Sequence, residues 1–443
     1  MSKHNRIEKF GLDPVPNELK NTRWFDYLYI QLAFSVNAGN FLVPALAVIE
    51  GGLSFIYAVL STVIGAAIAF SFVSWLSLPG ASYGIPSQYA IRSILGIKGA
   101  KYIGSPIRTL TSLYWFAVQT IGGTFVIKEL INRLFQIHVP FTIIALLLSS
   151  LMAILALIGF NMIKSVTKYF IPILILGQGV IIYIFIINSP AIINVIAPHT
   201  NFSFHSFFFY TGLAFVQYVS GVSSSADIAR YSKSEKHSVF GLFFGNVIGF
   251  VMTAILGAFS AAQFQHLNPF VSATQLTSSF SLVTLISLCA IVSMISINMS
   301  NAYTGGFSLL NSFPKLGRLK SAMIFGILGV ILSCFPTLVT QAKDYISLLG
   351  AFIIPLSAVI VTDFIFIKRN KIDINDLERI FDKQYQLNHV AFLTISFGII
   401  IYFMLYAYTS PGIYTFMGSS SIYIVIKKLA TRKQIKKKSS ISV

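Results

Sequence analysis

Trp115 and Gln119 lie four residues apart and share a face of any helix that carries them. An indole stacks on a flat ring, and an amide one turn away can bond the ring's edge. The same pair could equally be bundle packing, with the amide bonded to a neighbouring helix. The stretch from Phe215 to Tyr231 carries complementary equipment. It begins as an apolar helix. Gln217 and Tyr218 then bring in polar groups, and Ser220, Gly221 and Ser223 to Ser225 weaken it. Its bland alternative is a surface loop after a helix that ends near Gly221. A third group, Ser293, Ser296, Asn298, Ser300 and Asn301, is packed into one apolar run. One or two such residues commonly tie membrane helices together; five so close favour a lined cavity. Ser293 and Ser296 share one helix face, Asn298 and Asn301 another.

The elements that must position these residues are membrane helices. The chain has 443 residues, 55% hydrophobic and 10% charged, against about 25% charged in soluble domains. No charged residue occurs from Gly51 to Ile91. An all-α polytopic membrane protein follows, because helices satisfy their own backbone in lipid. Twelve spans of roughly 20 residues are expected, near 28–49, 54–77, 106–128, 139–160, 166–188, 206–227, 238–262, 281–303, 321–340, 345–367, 389–408 and 411–427. Residues 1–27 lack a signal peptide's apolar core, so span 1 is expected to stay in the mature protein. Cys289 and Cys334 fall in apolar spans and read as small hydrophobes.

The net charge of +18 is unevenly placed. Of the 32 lysines and arginines, all but Lys128, Arg133 and Lys343 fall in connections on one side of the spans. That side is expected to be the cytoplasm, with both termini on it. The basic tail suits anionic lipid headgroups better than nucleic acid.

Span 1 repeats the weakness of span 6. Asn37, Gly39, Asn40 and Pro44 interrupt it near its middle. Broken helices five spans apart predict an inverted repeat of spans 1–5 and 6–10, with substrate bound at the breaks. The expected organisation is a cytoplasmic segment 1–27, a ten-helix transport core 28–367, a cytoplasmic loop 368–388, two accessory spans 389–427 and a basic tail 428–443.

No Asp, Glu, Lys, Arg or His falls in the middle of a span; Glu50, Asp227 and Asp363 sit at ends. Intramembrane ionisable residues mark proton relays and charged ligands, so a neutral substrate is expected. Metal-ligand sets and acid–base pairs for an enzyme are missing from the spans, and the loops are too short for a catalytic domain.

With these motifs in place, the sequence resembles the nucleobase:cation symporter-1 family of bacterial cytosine/purine, allantoin and hydantoin permeases. The likeness runs from Gly11-Leu-Asp-Pro-Val-Pro16 through the segments Trp115 to Thr120 and Ser223 to Tyr231. It implies a leucine-transporter-like fold and symport of a planar ring, with no cofactor beyond a coupling ion. The ring would lie between Trp115 and Tyr218. Gln119, Ser220, Ser293 and Asn298 would bond its edge, beside Gly39 and Asn40 at the span 1 break. The resemblance also implies a sodium site from carbonyls near Ser35, Ala38 and Ser293 and the Ser296 hydroxyl. Ile297 stands where the family has a second hydroxyl, so proton coupling is the alternative. Other readings are a hydroxymethylpyrimidine permease of the same fold, or a passive channel or nontransporting receptor. The expected partners are a small-molecule substrate and the lipid bilayer of the plasma membrane, with the protein acting as a monomer and without nucleic acid.

Overall fold

The computed structural model describes residues 12–155, 160–189, 202–382 and 384–439. Gly11 of the N-terminal motif and the last residues of the tail lie outside them. All described secondary structure is helical, apart from an isolated bridge between Thr22 and Ser232.

Span 1 is two helices, Trp24–Ser35 and Ala38–Ile49, bent by 58° at the break. Span 2 is Phe55–Trp75, span 3 Ser105–Phe135, span 4 Phe141–Leu155 and span 5 Phe160–Ile187. Span 6 runs Phe204–Val219, tightens to a 3-10 turn at Ser220–Ser223 and resumes at Ser225–Ala229. Span 7 is Glu235–Phe264, span 8 Phe280–Ser312 and span 9 Gly317–Leu332. Span 10 is Ala342–Val361, continued by a π-turn at Thr362–Ile367. Spans 11 and 12 are His389–Met404 and Pro411–Ser439.

Every expected span thus coincides with a helix. By length and apolarity alone, six described helices qualify as crossings, and the bent pair of span 1 makes a seventh. Spans 4 and 11 are apolar but short, and span 6 is cut by its own break. Span 12 continues beyond the expected boundary at 427, because lysine and arginine sustain a helix well. The expected loop 368–388 contains a helix, Ile374–Phe381, packed on the helix Ser87–Leu95.

The packing reproduces the repeat. Span 1 packs on span 7 as span 6 packs on span 2, and span 3 packs on span 4 as span 8 packs on span 9. Spans 3 and 8 meet each other at the centre. Spans 11 and 12 pack on span 10.

Two features fix the frame. Span 7 presents Gly241, Gly245, Gly249 and Gly257 along span 1. A Cβ at Gly245 would lie 2.8 Å from the Gln31 Cβ, and one at Gly257 would lie 2.5 Å from the Phe41 carbonyl oxygen. The stripe therefore touches both halves of the broken helix, its bare backbone against their backbone and first side-chain atoms. At the end of span 10, the fully buried Asp363 accepts from Tyr423 Oη at 2.9 Å, takes the Lys427 ammonium, and pairs with Lys368 at 3.3 Å. Lys368 in turn pairs with Asp376 at 2.8 Å. Core, loop helix and span 12 are joined there.

Candidate functional site

The break in span 1 is made by Asn37, whose extended backbone (φ −155°, ψ 161°) stops one helix and caps the next. Its Oδ1 accepts from Asn40 N–H at 2.9 Å and from Gln119 Nε2 at 2.7 Å. Its Nδ2 donates to the carbonyls of Phe34 and of Ser35, the latter at 3.3 Å. Gly39 sits where span 3 approaches: a Cβ there would lie 2.4 Å from Gln119 Nε2. Gly39 N–H donates to Gln119 Oε1 at 3.0 Å, and its carbonyl accepts from Gln217 Nε2 at 3.2 Å. Asn40 Nδ2 donates to the Ser35 carbonyl at 2.8 Å, and its Oδ1 accepts from Tyr218 Oη at 2.8 Å. Side-chain amides thus satisfy the freed backbone of span 1, as buried polar groups require.

Span 6 breaks differently. Its serines compete with the helix for nearby carbonyls: Ser223 Oγ donates to Ser220 O at 2.8 Å and Ser224 Oγ to Gly221 O at 3.3 Å. Gln88 Nε2 adds a bond to Ser223 O at 3.0 Å.

A cavity of about 160 Å³ lies where the breaks meet, lined by Asn40, Trp115, Gln119, Gln217, Tyr218 and Ser220 among others. Trp115 is the only residue from Thr111 to Thr124 that is not buried, so its ring opens onto this space. Tyr218 is also not fully buried, its ring held against Phe70 and Phe250 at centroid distances of 4.6 and 4.9 Å. A larger cavity of about 640 Å³ lies on the side away from the termini. It takes only Ala38 from the breaks, and its remaining walls come from spans 1 and 3 and far-side loops such as Gln265 to Asn268. The smaller space is the candidate site because both breaks and both rings converge on it.

Several expected residues are placed otherwise. Gln119 lines the cavity, but the bonds just described already engage both ends of its amide. From span 8, Ile297, Ser300 and Asn301 reach the cavity; Ser293, Ser296 and Asn298 are fully buried away from it. Ser293 Oγ donates to Ala290 O at 2.8 Å. Asn298 Nδ2 donates to Phe116 O at 3.2 Å and Thr120 Oγ1 at 3.1 Å, holding span 8 to span 3. The five polar residues spread over more than half of the helix circumference rather than sharing a face, so composition alone does not choose the cavity side. Ser296 Oγ has no hydrogen-bond partner among the described residues. Gly39 acts through its backbone, and Ser220 Oγ lies 3.5 Å from Gln217 O.

The sequence reading passed over Gln31, Asn246 and Arg108 and took Gln217 only as a polar group within span 6; all four are in the cavity wall. Arg108 begins the near-side end of span 3 and reads there as a topology marker. Its side chain turns inward instead, and it is 8% exposed.

A helical bundle with an inverted repeat and a polar cavity at two helix breaks defines a secondary transporter. The chain matches, over residues 14–426, the family described as permease for cytosine/purines, uracil, thiamine and allantoin, and it belongs to that family. It is therefore a membrane transport protein and not an enzyme. The allantoin permease of Bacillus subtilis is 22% identical over 90% of this chain and 87% of its own length. The hydantoin permease of Microbacterium maritypicum is 20% identical over 71% of this chain and 67% of its own. Among solved structures, a nucleobase-cation-symport-1 family transporter, closed with bromovinylhydantoin bound, superposes with a TM-score of 0.80 at 15% identity, covering 96% of each chain. Its inward-facing conformation gives 0.78 at 15% identity, covering 98% of this chain and 96% of that one.

Proposed function

We propose that this chain is a symporter of the cytoplasmic membrane, with both termini cytoplasmic, that imports a planar nucleobase-like heterocycle. The ring lies between Trp115 and Tyr218 in the cavity at the two breaks. The opening of both aromatic rings onto that one cavity carries the reading. Ser220, Ser300 and Asn301, which line that cavity, bond the ring's edge in this reading, and Asn40 and Gln119 join them by exchanging one of their present bonds. One copy of the chain holds the whole cavity, in keeping with a monomer. The test is binding and proteoliposome uptake of labelled allantoin, hydantoin, uracil, cytosine and adenine. Trp115→Ala and Tyr218→Ala should each weaken binding by roughly 1–3 kcal/mol, the scale of base–aromatic stacking. Tyr218→Phe should cost less than Tyr218→Ala. Unchanged affinity in both alanine variants would make the pair structural.

The coupling ion in this reading is sodium, held by the Ser296 hydroxyl and carbonyls near Ser35, Ala38 and Ser293. The unpartnered Ser296 Oγ fits a cation ligand. The Ser35 carbonyl fits less well, since it already accepts from two amides. Ile297 adds no oxygen. Hard cations want several oxygens, so sodium dependence should be weak, and Ile297→Thr should shift it to lower concentration. Substrate binding across a sodium series at constant ionic strength measures this. A flat response in both proteins would favour proton coupling or facilitated diffusion.

A further inference from the structure

Three polar atoms in the cavity-lining side chains lack a hydrogen-bond partner among the described residues: Arg108 Nε, Gln217 Oε1 and Ser225 Oγ. Arg108 reaches from span 3 to the span 6 break. Its Nη1 lies 3.4 Å from the Ser220 carbonyl, and its Nη2 donates to Thr304 Oγ1 of span 8 at 3.0 Å. These bonds put the guanidinium at the level of Ser220, in the cavity wall. Asp227 is the carboxylate whose charge acts on Arg108. No hydrogen bond joins them among the described residues; Asp227 Oδ1 instead accepts from Ser87 N–H at 2.8 Å. The cation therefore keeps donor capacity that its neighbours leave unused, in a place where an unmade bond is costly.

Gln217 supplies the opposite character. Its Nε2 donates to the Gly39 carbonyl. A carbonyl can only accept, which fixes the amide's orientation and leaves Oε1 as the spare acceptor. A fixed donor and a fixed acceptor in one wall call for a ligand edge carrying an acceptor beside a donor.

We propose that Arg108, with Gln217, is a specificity-determining residue that selects rings with a lactam or imide edge, an N–H next to a carbonyl. The ring carbonyl accepts from the guanidinium and the ring N–H donates to Gln217 Oε1. This rests on the heterocycle-transport reading and narrows it. Uracil and hydantoin carry such an edge; adenine sets ring nitrogens beside its N–H donors and offers the guanidinium no carbonyl oxygen.

The experiment is equilibrium binding of uracil, hydantoin and adenine to the purified full-length protein and to Arg108→Met, Arg108→Lys and Gln217→Leu. The wild type should bind uracil or hydantoin at least about 10-fold more tightly than adenine, the effect of one charged hydrogen bond. Arg108→Met should collapse that ratio toward one. Arg108→Lys, which keeps the charge and loses the planar fork, should restore part of it, and Gln217→Leu should lower it. If Arg108→Met does not fold, the lysine variant carries the test through the same ratio. Equal wild-type affinity for adenine and uracil overturns this inference and leaves the transport reading standing. So does an equal loss for all three rings in the arginine variants, which would make Arg108 purely structural. A folded wild type that binds none of the rings overturns both.

Discussion

The two breaks occupy equivalent places in the repeat and are held by different chemistry. The break in span 1 is tied by four side-chain amides, and two of them, Gln119 and Gln217, arrive from other spans. The break in span 6 is tied mostly by its own serines to carbonyls three residues back. Equivalent topology therefore does not mean equivalent rigidity. Long-range bonds make the first break a junction of spans 1, 3 and 6. Short-range bonds leave the second able to rearrange within itself, at the place where Tyr218 and Ser220 face the cavity.

The sharpest way to break this contrast is Asn37→Ala. It strands Gln119 Nε2 and the Phe34 carbonyl in a buried site and takes one of two partners from the Asn40 N–H and the Ser35 carbonyl, and each unsatisfied group costs about 1–3 kcal/mol. Thermal or denaturant unfolding in detergent should show a loss of about 3 kcal/mol or more. Gln119→Leu should come next, at about 2 kcal/mol, because it strands the Gly39 N–H and takes one of two donors from Asn37 Oδ1. It should also weaken binding of the best ring, which purified protein can report. Ser223→Ala should be mildest, at about 1 kcal/mol or less, since one local bond is lost. If Ser223→Ala matched Asn37→Ala, the two breaks would be equally stiff.

Much of this was legible in the sequence, for identifiable reasons. Helix-breaking residues inside long apolar runs have few explanations in lipid, so Asn37, Gly39 and the 220–225 serines marked both breaks. The four-residue spacing of Trp115 and Gln119 placed them on one face. Three things were hidden. The partners of Gln119 depend on how closely span 3 approaches Gly39, which no local pattern encodes. The cavity side of span 8 depends on helix rotation, and polar residues over more than half of its circumference conceal it. Arg108 looked like a loop charge because position along the chain does not say which way a long side chain turns at a helix end.

The glycine stripe of span 7 has a mechanical consequence. It lies along both halves of span 1 with no side chain of its own between them, so it works as a splint across a fracture. A splinted fracture does not flex, however bent it looks. Spans 1 and 7 must travel as one piece. Any movement that opens the cavity from side to side has to be taken up where the piece meets span 3, at the Gln119 bonds, and within the serine-held turn of span 6.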